Sequence, residues 1–261
     1  MTLQTNNNIT TTSHKRLSVQ ISLTGLSFFV EDRSDQSVLY AEETSFETAP
    51  SPEEILGVIQ EYFQRETSLK SSFDSVVLIY ATPLYTLIPQ GLFDRDKASE
   101  YLKFNAKILP TDYIAVDKVS VHDSVVVYVP YVNINNYFFD KFGSFSYYHG
   151  ITLLLTQCIK EARYEQQPKV IVQLMATSFD LLVFDQGNLI LCNTYTYQTS
   201  EDFLYYLLFA FEQLQLNPDT IPTELIAPIS ETDERYELAY RYIRNISIKK
   251  LDINQLVHTI V

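Results

Sequence analysis

The groups best suited to chemistry in this chain are four histidines, His14, His122, His149 and His258, the thiols of Cys158 and Cys192, and acid pairs such as Glu42-Glu43, Glu53-Glu54 and Asp233-Glu234. His122-Asp123-Ser124 holds the three residue types of a hydrolytic relay. Neighbouring residues are not expected to point into one relay, because such triads assemble from distant positions, so the tripeptide reads as a polar turn between strands. The histidines lack the close spacing of a zinc site, and neither Cys-x-x-Cys nor His-Glu-x-x-His occurs. The acid pairs read as a solvated strand end and two helix starts, and the cysteines as small buried apolar residues. The six glycines are never closer than seven residues apart, which excludes Gly-x-Gly-x-x-Gly and the P-loop. No catalytic residue, no metal and no cofactor is expected.

Composition narrows the partners. Thirty-two acids against nineteen bases give a net charge of −13, which repels a phosphate backbone, so nucleic acid is not an expected partner. The longest apolar run, Phe203 to Phe211, is about half of the roughly 20 residues a membrane-spanning helix needs, so membrane insertion is not expected. Two cysteines make no disulfide framework, which together with the lack of a signal segment points to a cytoplasmic protein. Nineteen tyrosines and sixteen phenylalanines exceed the needs of a core, since tyrosine prefers one wet edge. Most of them read as packing between layers, and the remainder as a surface for an unknown protein partner. The oligomeric state is left open.

The elements that must position these groups come next. Residues 1–16 read as a disordered tail, rich in Thr and Asn. Leu17 to Leu23, Leu26 to Glu31 and Val38 to Phe46 read as three strands, and Ser51-Pro52-Glu53-Glu54 opens a capped helix. A buried strand at Ser75 to Ala81 and a helix at Asp94 to Phe104 follow. Tyr113 to Val119, Ser124 to Val129 and Asn133 to Phe142 read as two strands and a short helix. Ile151, Leu154, Leu155, Cys158, Ile159 and Ala162 then form one apolar helical stripe, with Lys160, Glu161 and Arg163 opposite. Strands at Val170 to Leu174, Leu181 to Phe184 and Leu189 to Tyr197 precede a helix capped by Ser200, a strand at Glu224 to Ala227 and a helix from about Asp233.

The order of three strands, helix, strand, helix therefore occurs twice. Laid without gaps, the fourteen residues from Val19 to Asp32 match those from Val172 to Asp185 at five positions, and the apolar pattern is largely shared. We read this as an internal duplication. Residues 17–110 form a first half, 111–168 connecting strands and helices packed between the halves, and 169–261 a second half.

Two such halves resemble the superfamily of actin, hexokinase, sugar kinases and the heat-shock ATPase chaperones. The implied fold is α/β: a duplicated ribonuclease-H-like (actin-like ATPase) fold, two βββαβα halves around a cleft. Leu17 to Leu23, Pro89-Gln90-Gly91-Leu92-Phe93, Tyr101 to Asn105 and Asn136-Tyr137-Phe138-Phe139 also resemble a bacterial family of unknown function, found mainly among Bacteroidetes and assigned to this fold. Actin-like proteins of pilus assembly and cell division look similar as well.

In the superfamily each hairpin carries an Asp-x-Gly loop that holds phosphate and magnesium. Here Gln20 and Gln173 replace the aspartates, and Ser22 and Met175 replace the glycines. A neutral glutamine cannot hold Mg²⁺ electrostatically, and a side chain in place of glycine obstructs the approach of phosphate. No glycine lies near Leu225 to Pro228, where the superfamily places a pair against the adenosine. The expectation is a non-catalytic actin-like scaffold that binds another protein. The alternative is a divergent ATP-binding protein that uses Thr24 and Thr177, which sit equivalently in the two turns.

Overall fold

The computed structural model of the chain describes residues 14–46, 48–104, 107–251 and 256–259. The first part runs β1 (Lys15–Ser22), β2 (Gly25–Asp32), β3 (Ser37–Ser45), α1 (Pro52–Arg65), β4 (Ser75–Ala81), β5 (Tyr85–Pro89), α2 (Ala98–Lys103), β6 (Ala115–Val119), β7 (Ser124–Tyr128), α3 (Val132–Phe142), β8 (Ser146–His149) and α4 (Gly150–Ala162). The second runs β9 (Lys169–Leu174), β10 (Ser178–Asp185), β11 (Asn188–Thr196), α5 (Ser200–Gln213), β12 (Thr223–Ile226), α6 (Glu234–Tyr240) and β13 (Ile246–Lys249).

The duplication is visible in the sheets. One has the order β3-β2-β1-β4-β8 and the other β11-β10-β9-β12-β13, with the hairpin strands antiparallel and the last two strands parallel in both. The hairpin register repeats as well: Gln20 pairs with Ser27, and Gln173 pairs with Asp180. Each half runs βββαβα and then adds a further parallel strand, β8 or β13, which the sequence reading did not include. Both are short polar segments of four residues, Ser-Tyr-Tyr-His and Ile-Ser-Ile-Lys, with none of the apolar runs that mark β4.

Other expectations shift. Residues 1–13 of the expected tail lie outside the described residues, but Lys15 and Arg16 belong to β1, and Arg16, only 1% exposed, pairs with Glu31. Segment 111–168 holds β6, β7, α3, β8 and α4. β6 and β7 join the unanticipated β5 in a three-stranded sheet of order β5-β7-β6, whereas α3, β8 and α4 complete the first half. The helix at Asp94 to Phe104 divides into a 3₁₀ turn, Arg95–Lys97, and α2.

Local chemistry accounts for the ends of the elements. Ser51 and Glu54 form a reciprocal capping box on α1, with Pro52 at the first helical position. On α5 the cap is Thr199, not Ser200: Thr199 accepts from the Asp202 N–H, and the Asp202 carboxylate returns to the Thr199 N–H. Asp at the third helical position completes the box from one residue earlier than expected. Gln186 and Gly187 both have positive φ, as a two-residue hairpin turn between β10 and β11 requires. Gly25 lets β2 leave its hairpin against β3, since a Cβ there would lie 2.5 Å from the Thr44 carbonyl oxygen.

α4 is buried on nearly every side. Thr152, Leu153 and Thr156 are covered as well as the expected stripe, because one apolar cluster runs from β1 and β4 through α4 to Ile171, Leu182, Phe184 and Ile226 of the second half. The opposite face of the second sheet, with Val170, Val172, Leu174 and Leu181, packs against α5 and α6. The second sheet is thereby sandwiched between α4 and its own helices.

Candidate functional site

The alternation of β9 that sends Val170, Val172 and Leu174 to α5 and α6 sends Ile171 and Gln173 to the junction of the halves. Gln173 and Met175 there meet Ala81, Thr82, His149, Gly150 and Ile151 of the first half and Asp180 of the second, around a cavity of about 10 Å³. Ala81 is the direct strand partner of Ser22, so this is the neighbourhood of both expected phosphate loops. Of the six loop positions, Gln173 and Met175 line the cavity, and the other four do not. Ser22 donates to the Gly25 carbonyl at 2.9 Å and lies 3.4 Å from the Thr24 hydroxyl, whereas Thr177 is exposed and Gln20 half-buried. The Met175 carbonyl accepts from Tyr197 and, at 3.5 Å, from Arg235, which fixes the second turn from the α6 side.

The polar groups that organise the junction escaped the sequence reading. Asp180 accepts from the Tyr85 hydroxyl at 2.9 Å and from the Thr194 hydroxyl at 2.5 Å, both on Oδ1. Burial pushes its carboxyl up to about 6. His149 donates from Nε2 to the Thr82 carbonyl at 2.9 Å and accepts at Nδ1 from the Ile151 N–H at 3.2 Å, capping α4. Burial lowers its pKa to about 3, so the imidazole is neutral. Tyr85 and Tyr128 pack on its ring at 4.6 and 5.2 Å. Asp117 accepts from the His149 N–H and the Thr152 hydroxyl, both at 2.8 Å, and from Tyr128 at 3.1 Å; burial raises it also to about 6. Asp117 therefore fastens the small sheet to α4, and Tyr85 fastens that sheet to the second half.

Asp180 could have been found. It is the one charged residue between Thr177 and Phe184, and the ungapped comparison set it against Ser27. His122 departs from its expected geometry in one respect: its Nδ1 lies 3.0 Å from the Ser124 hydroxyl across the β6–β7 turn. Ser124 is 2% exposed, which closes it to a substrate. Cys158 and Cys192 are free, and burial pushes both thiols up to about 12, far from the thiolate a nucleophile needs. Among the described residues no group of His, Cys, Asp and Glu is placed to hold a metal ion, and no helix is long and apolar enough to cross a membrane.

Two halves of like topology, each an antiparallel three-stranded run extended by two parallel strands, define an actin-like ATPase fold. The solved structures bear this out. A Bacteroides thetaiotaomicron protein with actin-like ATPase fold and unknown function superposes with TM-score 0.85 at 19% identity, over 97% of this chain and 99% of the other. The PilM-PilN type IV pilus biogenesis complex gives 0.58 at 11% identity, over 92% and 89%. The chain belongs to the family described as "Protein of unknown function (DUF3822)", whose model matches residues 4–246. No curated protein matches it in sequence.

Proposed function

We propose that this protein is a non-catalytic, cytoplasmic actin-like scaffold that binds another protein. The observation that carries the reading is the packing of the second phosphate loop. Gln173 and Met175 close against Thr82, His149 and Ile151 and leave about 10 Å³, whereas a small-molecule site occupies roughly 300–1,000 Å³. The site's carboxylate, Asp180, is engaged at Oδ1 by Tyr85 and Thr194, so that oxygen serves the junction.

Support for a protein partner comes from the aromatic side chains of the second half. Phe179, Tyr195 and Tyr206 stack in series at 5.3 and 5.4 Å from the core outward, and Tyr205 stacks with Phe209 at 6.2 Å on the outer face of α5. Tyr205, Phe209, Tyr240 and Tyr242 are exposed, and rigid tyrosines of this kind are favoured at interface centres. The PilM-PilN complex is a protein of this fold assembled with another protein.

A thermal-shift titration with ATP and Mg²⁺ tests the reading, because a ligand of the native state must raise the unfolding midpoint. No shift at millimolar ATP is expected. A saturable rise with micromolar affinity would replace the scaffold by a divergent nucleotide-binding protein. Affinity capture with the native chain and with Tyr205→Ala/Phe209→Ala then assesses the surface: a partner retained by the first and lost by the second is expected.

A further inference from the structure

The cavity between the halves is small, but its lining is not apolar. Thr82 is 3% exposed and its hydroxyl has no hydrogen-bond partner among the described residues. Gln173, 7% exposed, makes no side-chain hydrogen bond among the described residues. Both hydrogen bonds that Asp180 accepts from the described residues fall on Oδ1, and none falls on Oδ2. All three residues line the same cavity, Thr82 from the first half and Gln173 and Asp180 from the second.

A buried polar atom without a partner is costly, on the order of 1–3 kcal/mol, and Thr82 Oγ1 is such an atom, facing a cavity that Gln173 and Asp180 also line. Such atoms are met when a water is present, for which a cavity needs about 10–15 Å³ of probe volume and two to four polar partners. This cavity, at about 10 Å³, is of the size of one water.

We propose that the cavity is a binding site for one ordered water, which accepts from the Thr82 hydroxyl, donates to Asp180 Oδ2 and bonds the Gln173 amide. The water is then a mortise between the halves. Its partners come from β9, from β10 and from the loop after β4, so no one half holds it alone. It also explains why a glutamine is suited to position 173: the amide can donate or accept beside the carboxylate directly across the ladder, where an aspartate would repel it. A sodium ion is the competing occupant of this size, since hydroxyl, amide and carboxylate oxygens are also hard cation ligands.

Water-proton relaxation dispersion on the full chain counts long-lived internal waters. Native protein and Thr82→Ser, which keeps the hydroxyl, are expected to give the same count. Thr82→Val and Gln173→Leu are each expected to lose one. Amide exchange at Ile151 and Met175 should speed up by about tenfold in the two depleted variants, the factor that corresponds to one net hydrogen bond. Should either depleted variant fail to fold, a crystal structure of the native chain decides: density within hydrogen-bond reach of Thr82 Oγ1 and Asp180 Oδ2 is expected, and its absence overturns the proposal. Unfolding midpoints in sodium chloride and in tetramethylammonium chloride of equal ionic strength should agree; stabilisation specific to sodium overturns the water in favour of the ion. Equal water counts in all four proteins also overturn it.

Discussion

Tyr85 donates a 2.9 Å hydrogen bond to Asp180, a residue 95 positions later, and through it the small sheet of the first half holds the central hairpin of the second. Both side chains are buried, so neither can exchange its partner for bulk water without parting the halves. Tyr85→Phe keeps the ring stacked on His149 and removes only the donor. We expect a loss of about 1–3 kcal/mol in urea unfolding, because the carboxylate keeps Thr194 and loses half of its bonding. A loss below about 0.5 kcal/mol would show that the bond contributes little.

The pH dependence of stability separates the buried groups. Asp180 and Asp117 are raised to about 6, so each holds its proton more tightly when folded, and their contribution falls as pH rises from about 4 to about 6. His149 acts in the opposite sense: lowered to about 3, it contributes stability above about 6.5 that is lost as pH falls. Comparing the native chain with Asp180→Asn isolates one term. The stability of the native chain minus that of the variant is expected to decline between about pH 4 and about pH 6 and to be flat on either side. A difference that rises through this window contradicts the assignment.

Restoring the lost loop aspartates should not restore ATP. Gln173→Asp sets a second carboxylate directly opposite Asp180 in a cavity with no room for metal and phosphate together. Two like charges there disfavour each other's ionisation and destabilise the fold. For Gln20→Asp/Gln173→Asp we expect a lower unfolding midpoint at pH 7.5 and magnesium-dependent hydrolysis at background. Hydrolysis above background would show that the junction opens wide enough for a nucleotide.

The helix caps give a direct comparison of neighbours. Thr199→Ala removes the hydroxyl that accepts from the Asp202 N–H and is expected to cost on the order of 1 kcal/mol. Ser200→Ala loses only an exposed bond to Glu234 and is expected to stay within about 0.5 kcal/mol of the native chain. Chemical denaturation of the pair resolves the two, and the reverse order would refute the cap.

Arg16 and Glu31 form a covered ion pair on β1 and β2, with the ring of His258 against both. Glu31→Gln leaves a guanidinium that is 1% exposed without its counter-charge, at an expected cost of about 3–5 kcal/mol. Arg16→Met/Glu31→Leu removes both charges and should cost far less. Calorimetry on the two variants tests this ordering.

The repeat was legible because strand periodicity, cap residues and turn residues are local signals, and Gln20 and Gln173 fell in matching registers without any gap. The junction was not. Tyr85, Thr82, His149 and Asp180 are spread over about a hundred residues, and each is unremarkable in its own segment. β5 and β8 were missed for a related reason, since each is a segment of only four or five residues paired to a single neighbour, β7 or β4. The Lys160-Glu161-Arg163 face of α4 suggested a surface helix, yet Lys249 reaches Glu161 at 2.7 Å and covers part of it.

The position of α4 bears on how the molecule comes apart. A gene duplication ordinarily leaves two modules, each able to melt by itself. Here the last helix of the first copy is wrapped by both, so the two copies share one hydrophobic cluster while the second keeps another of its own. A cut in the Arg163–Pro168 connection would leave a second fragment whose Ile171, Leu182, Phe184 and Ile226 lack cover until the first rejoins it, and heating the intact chain would show one cooperative transition where its ancestry suggests two.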